Sequence, residues 1–283
     1  MSTDINQLRD LSTLFTRSEI LRLLKNDFGS VDKKLIRYDL IDKRRGSTYL
    51  KIFKEEYRKL QKNYQNEYVV KNEFLNQKLI KEIGNRHSVI FNEMRLGGAT
   101  ADLAIFNGVS KVFEIKTILD KEYRLSKQLE VYKKIFNEVY VIVPQENVLQ
   151  YMKYDSNVAI ISYDSEMTEF RVEREAIKNI DIDIDVLMNV LHSKEYLNIT
   201  YDYYDELPEI NAFNQFEVCK SLISKIPYEK LNYSFIEAMK NRKVYNSFFN
   251  KVNNEFNQVC LSLNLKEEQR KDLINKLKTH KVC

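Results

Sequence analysis

The chain has 283 residues, 43% hydrophobic and 30% charged, enough for one large domain or two smaller ones with a buried core. No apolar run approaches the roughly 18 residues of a membrane helix and no secretory leader pattern is present, so the sequence reads as cytoplasmic with no membrane partner. A net charge of +4 permits nucleic-acid binding without demanding it; three cysteines without ligand spacing suit a reducing compartment, and three scattered histidines argue against a zinc enzyme or a Ser-His-Asp triad.

In chain order, residues 1–62 read as a helical region. Thr16-Arg17-Ser18-Glu19 has the pattern of a capping box before Ile20-Leu21, and a second helix is expected from Thr48 through Leu60. Residues 63–175 read as an α/β core. It comprises a helix from Asn72 to Ile83, then strands at Ser88–Arg95, Ala101–Phe106 and Lys111–Lys116. A helix over Lys121–Asn137 follows, then strands at Val139–Val143 and Val158–Ser162, with an edge strand near Glu169–Val172. Gly97-Gly98 and Asn107-Gly108 supply the two turns. Residues 176–283 become helical again, with stretches at Ala212–Ile226, Tyr228–Met239 and Lys266–Leu277. The alternating Asp181-Ile182-Asp183-Ile184-Asp185 reads as cap and first-turn acids of a helix, not as a metal site. These C-terminal helices are expected to pack on the core or to form a homodimer face.

The chemistry concentrates on the second and third strands. Strand side chains alternate between faces, so Glu114 and Lys116 share one face while Phe113 and Ile115 point to the other. A hairpin pairing sets Asp102 beside Glu114. Two adjacent carboxylates repel unless neutralised, and a hard divalent cation such as Mg²⁺, bound through oxygen with a substrate phosphate, is a natural partner. An acid-x-lysine pair also occurs as a solvated face. Here Asp102 lies in an otherwise apolar strand, where an acid is costly without a partner. Glu93 stands on the preceding strand, and Gln128 and Tyr132, four apart, share one face of the following helix. Gln128 reads equally as a surface residue or a site component. Lys43-Arg44-Arg45 and Lys240-Asn241-Arg242-Lys243 are clusters able to track a phosphate backbone, or simply solvated helix ends.

The run Asn92-Glu93-Met94-Arg95-Leu96-Gly97, then Ala101-Asp102-Leu103-Ala104-Ile105, then Phe113-Glu114-Ile115-Lys116-Thr117 resembles the sce7726 family of bacterial and phage proteins, within the PD-(D/E)XK superfamily. The similarity continues through Asp120, Arg124-Leu125, Gln128 and Tyr132 to Val139–Val143, reaches upstream to Glu67–Asn72, and covers residues 65 to 165 or so. The Gln128-x-x-x-Tyr132 spacing is similar to the QxxxY motif of RecB-like and phage exonuclease-type members. The resemblance implies an α/β (α+β) fold with a restriction-endonuclease-like mixed central sheet and flanking helices. It implies a metal-dependent nuclease, with Mg²⁺ or Mn²⁺ held by Asp102, Glu114 and the carbonyl of Ile115. Lys116 would handle the attacking water, Glu93 would support metal or water, and Gln128 and Tyr132 would orient the site. Arg95 and Arg124 would contact the phosphates of nucleic acid, DNA rather than RNA. Ala101 stands where the superfamily's proline would be. The accessory acid is Glu93 or Glu73, of which Glu93 fits the pattern better. The alternative is a catalytically idle nuclease fold serving nucleic-acid binding or protein docking.

Overall fold

The computed structural model describes residues 4–83, 88–119, 124–164, 166, 169–245 and 252–282. Its centre is a six-stranded mixed sheet whose spatial order follows the chain: β1 (Val89–Leu96), β2 (Ala99–Phe106), β3 (Ser110–Ile115), β4 (Glu138–Pro144), β5 (Ala159–Tyr163) and β6 (Phe170–Arg174). The first three strands run antiparallel because two tight turns join them. Gly97, at φ 66°, opens the two-residue turn between β1 and β2, and Gly108, at φ 99°, sits in the turn between β2 and β3. Both are backbone conformations that an L side chain resists. β3, β4 and β5 are parallel, and β6 returns antiparallel at the edge, with an irregularity at Ile160/Ile161.

Helices precede and follow this sheet. The N-terminal group is α1 (Ile5–Ser12), α2 (Arg17–Leu24), α3 (Gly29–Arg37), α4 (Ile41–Arg44) and α5 (Tyr49–Asn63). Next comes α6 (Glu67–Phe74), which passes through a π-helical turn at Leu75–Leu79 into α7 (Ile80–Ile83). α8 (Leu125–Lys133) lies between β3 and β4, and α9 (Val148–Tyr151) between β4 and β5. The C-terminal group is α10 (Ile184–Val190), α11 (Ser193–Tyr204), α12 (Gln215–Ile223), α13 (Tyr228–Lys240), α14 (Asn257–Ser262) and α15 (Glu267–Thr279).

Strand alternation assigns the two faces of the sheet. Val112, Val139, Val141, Val143 and Ile160 join α8 and α10–α13 in one core. Phe113, Ile115, Tyr140, Ile142 and Ile161 join α6 and the π-turn in another. A third core unites α1–α5 with α14 and α15. The C-terminal helices therefore divide: α10–α13 cover the sheet, while α14 and α15 complete the N-terminal helical layer. Among the described residues, no helix is long and apolar enough to cross a membrane.

Several sequence expectations need correction. The capping box at Thr16 does not form: the Thr16 hydroxyl donates to the Thr13 carbonyl, and Glu19 turns inward, accepting from Ser30 Oγ at 2.8 Å and facing Lys34 at 3.6 Å. A buried carboxylate gains more from those donors than from one helix-end N–H. The helix expected from Asn72 begins a turn earlier, at Glu67, because Asn66 caps it by accepting from the Val69 N–H. The stretch from Ala212 becomes helical only at Gln215; Asn211 and Asn214 exchange side-chain and backbone bonds in a local turn instead. The expected helix start at Lys121, together with Asp120 and His87, lies outside the described residues.

Candidate functional site

The site forms where β2, β3, α6 and α8 meet. β2 and β3 pair through Leu103↔Phe113, and one further step of that register sets Asp102 opposite Glu114. Glu114 points to the α8 face of the sheet, as Val112 does, and Lys116 follows two residues on. Lys116 Nζ donates to Glu114 Oε1 at 2.7 Å. From α8, Gln128 Nε2 donates to the same oxygen at 2.7 Å, and the Tyr132 hydroxyl meets Glu114 Oε2 at 2.7 Å. Gln128 Oε1 also lies 3.4 Å from Lys116 Nζ. The one-turn spacing of Gln128 and Tyr132 thus places both on one carboxylate. Burial, and then the charge of Glu114, push the Tyr132 phenol well above its ordinary pKa, so it acts as a donor.

Asp102 is held from the other side. Its Oδ2 accepts the Ile115 N–H at 2.8 Å and its Oδ1 faces Lys71 Nζ at 2.7 Å. Lys71 is only 3% exposed, on α6, and reaches Glu67 Oε1 at 2.5 Å as well. Burial alone would lower the Lys71 pKa; the charges of Asp102 and then Glu67 outweigh it, so the ammonium persists. Burial raises the Asp102 pKa above the usual carboxylate range. Lys71 acts against that rise, and the neighbouring Glu114 charge adds to it.

Lys71 and Glu67 had no assigned role from sequence. A signal was present: Lys71 interrupts an apolar stretch containing Val69, Val70, Phe74 and Leu75, where a lysine needs a partner, and Glu67 lies one helical turn before it. Its second partner, Asp102, is brought to it only by the fold.

The remaining expected residues sit apart from this cluster. Glu93 lies on β1 at the level of Asp102, between the pairs Asn92↔Leu103 and Met94↔Ala101. Its backbone is left-handed, at φ 52°, and its half-exposed carboxylate faces Arg17 at 3.6 Å. It lines the same open cavity, about 540 Å³, as Lys71, Glu67, Arg17 and Gln258. Glu73 points elsewhere: it accepts from the Tyr57 hydroxyl at 2.8 Å and from Gln77, inside the α5–α6 contact. Arg95 is exposed on β1, and Arg124 is exposed one turn before Gln128. In the two basic clusters, Arg44 is bound by Glu55 and Glu56, and Arg242 by Glu195 and the Val190 carbonyl.

Among the described residues, no group of three or more His, Cys, Asp or Glu side chains is arranged to hold a metal. The pair of carboxylates nevertheless suits Mg²⁺ or Mn²⁺, which take oxygen donors and commonly need only one or two protein carboxylates. Each carboxylate has about four lone-pair positions. Asp102 uses one at each oxygen, and Glu114 uses two at Oε1 and one at Oε2, so both retain capacity toward an ion.

Fold and site together define a mixed-sheet α/β protein with a buried carboxylate–lysine cluster on the adjacent strands β2 and β3. The chain belongs to the bacteriophage P4 protein cII family, whose profile matches residues 60–266, from the end of α5 to the start of α15. No curated protein matches the chain. Among solved structures, a Silicibacter pomeroyi protein of unknown function is similar at 13% identity with a TM-score of 0.30, covering 48% of this chain and 95% of its own.

Proposed function

We propose that this protein is a metal-dependent nuclease of the PD-(D/E)XK type that hydrolyses phosphodiester bonds, with DNA as its favoured substrate. The observation that carries the reading is Lys116 Nζ within 2.7 Å of Glu114, whose strand register sets Asp102 opposite. The order of elements adds support: a helix, three antiparallel strands, a helix, then a parallel strand, as in a restriction-endonuclease-like core. So does the resemblance of residues 65 to 165 or so to the sce7726 family. Membership in a family named for a bacteriophage P4 protein is in keeping with a phage setting.

Asp102, Glu114 and the Ile115 carbonyl would hold Mg²⁺, with Mn²⁺ as a substitute. When bound, the ion supplies an acidified water and neutralises charge at the phosphate. The chain's own residues do the rest. Lys116 orients the attacking water and offsets negative charge that develops during in-line displacement. Gln128 and Tyr132 fix the Glu114 carboxylate, and the Ile115 N–H fixes that of Asp102, so neither reorganises as charge moves. Arg95 and Arg124, both exposed, contact flanking phosphates. Glu93 supports the site from the rim of the cavity beside Lys71.

One observation favours the second reading, a catalytically idle fold used for nucleic-acid binding or docking. Every carboxylate oxygen of Asp102 and Glu114 already has a partner within the protein. Activity separates the two readings. Purified protein incubated with single-stranded DNA, duplex DNA or RNA should cut DNA with Mg²⁺ or Mn²⁺ and not with EDTA. Lys116→Gln, which keeps a donor near Glu114, should lower the rate at least about 100-fold while leaving the melting temperature nearly unchanged. Cleavage by that variant at the parent rate, or cleavage that survives EDTA, rules out the nuclease mechanism.

A further inference from the structure

The Lys71 ammonium stands between two carboxylates, 2.7 Å from Asp102 Oδ1 and 2.5 Å from Glu67 Oε1, and is almost wholly buried. The ammonium thus already supplies a positive charge at Asp102 Oδ1, where a second cation of a two-metal site would otherwise be needed. Charge leads to the same conclusion. Glu67, Asp102 and Glu114 supply three negative charges and Lys71 and Lys116 two positive ones, so one net negative charge remains. One divalent ion brings the cluster to +1; two would bring it to +3 in a largely buried place, a costly state.

We propose that Lys71 is a positioning residue that permanently occupies one cation seat beside Asp102, so that the centre takes a single divalent ion, on the Glu114 side. This rests on the metal-dependent reading above. Lys71 acts through Asp102: its ammonium holds Oδ1 at 2.7 Å, so the ion would share Oδ2 with the Ile115 N–H. Glu67, half-exposed at the cavity, holds the Lys71 ammonium from behind. The proposal also explains why a lysine persists in the apolar face that α6 presents to the sheet.

The test is Mn²⁺ titration of the intact chain without nucleic acid, by calorimetry and by electron paramagnetic resonance of free Mn²⁺. The wild type should bind one equivalent, and Asp102→Asn should abolish it. Lys71→Met, which removes the charge at similar volume, should bind a second equivalent or bind the first at least tenfold more tightly; Lys71→Arg should restore the wild-type stoichiometry. A purely structural role for Lys71 would change the melting temperature and leave both the stoichiometry and the affinity alone. Two equivalents in the wild type, or unchanged binding in a folded Lys71→Met, overturns the proposal while leaving a metal-dependent nuclease standing. No Mn²⁺ binding by the wild type overturns both. Should Lys71→Met not fold, Glu67→Gln at the more exposed position takes its place. Lys71 then belongs to Asp102 alone, and Mn²⁺ affinity should fall severalfold at one equivalent; unchanged affinity overturns the proposal.

Discussion

Asn72 is the residue on which the placement of α6, and hence of Lys71, depends. It is fully buried; its amide nitrogen donates to the Tyr57 hydroxyl at 2.6 Å and the Asn254 carbonyl at 3.0 Å, and its oxygen accepts the Gln258 N–H at 2.9 Å. Two segments distant from each other in sequence, α5 and residues 254–258, thus meet on one side chain of α6. Asn72→Leu matches it in size and strands the groups it serves, so it should lower stability by about 2–3 kcal/mol, read from urea denaturation. A change below about 0.5 kcal/mol would mean that water or a neighbour takes its place. At this scale much of the site was legible in the sequence. Strand alternation joins Glu114 to Lys116, and helical spacing joins Gln128 to Tyr132, both being local rules. Lys71 was not, because its bond to Asp102 exists only after α6 packs against the strands. Nor did strand alternation foresee that Glu93 would adopt a left-handed backbone.

That residue has consequences for its element. Ahead of Glu93, the β1 residues in the α8-side core are odd-numbered, Val89 and Phe91; beyond it they are even-numbered, Met94 and Leu96. The register with β2 is the same on both sides of Glu93, with only the Glu93–Asp102 step missing from the pairing, so the change of phase falls beside Asp102. A non-glycine residue at φ 52° inside a strand carries strain, which tends to gather at functional sites. Strands, helices and their order could be read from apolar periodicity, but a phase change inside a strand leaves no compositional trace. The acids before α10 were legible for the opposite reason, since capping is local. Asp183 Oδ1 accepts the Val186 N–H at 3.1 Å, and that bond, with further help from Lys134, holds its carboxyl below the usual range. Asp183→Ala should cost about 1 kcal/mol at neutral pH. Because the folded-state pKa is depressed, this contribution is present above the unfolded value of about 3.9 and disappears as pH falls through the folded one. Thermal melts of parent and variant should therefore differ at pH 7 and converge towards pH 3. An equal gap at both pH values would show that Asp183 does not act through its charge.

Across the whole molecule, the chain closes on itself. α15 packs against α2 and α5, Thr48 bridges to Lys281, and α14 lies on both α6 and β1. The N-terminal layer is therefore completed by residues from the far end of the chain, and α6 lies between that layer and the sheet. Local periodicity cannot reveal this arrangement, because the α15 pattern would suit any apolar partner. The two described cysteines report on the parts separately: Cys219 lies in the α8-side core and Cys260 in the N-terminal layer, both fully buried. Burial pushes the Cys260 thiol up to about 11, with Arg270 acting against it. In a Cys283→Ser background, a thiol-specific disulfide reagent at pH 8 should label neither cysteine in the native state and both after denaturation. The raised folded-state pKa fixes the sign of the alkaline response. The unfolded chain loses its thiol proton near pH 8.5 and the folded chain only near 11, so stability should decline across that interval, and less so in Cys260→Ala. Labelling in urea then distinguishes two architectures. If α6 couples the layer to the sheet, both thiols should become reactive over one transition. If Cys260 reacts at a lower urea concentration than Cys219, the N-terminal layer opens by itself, and with it the support that holds Lys71 against Asp102.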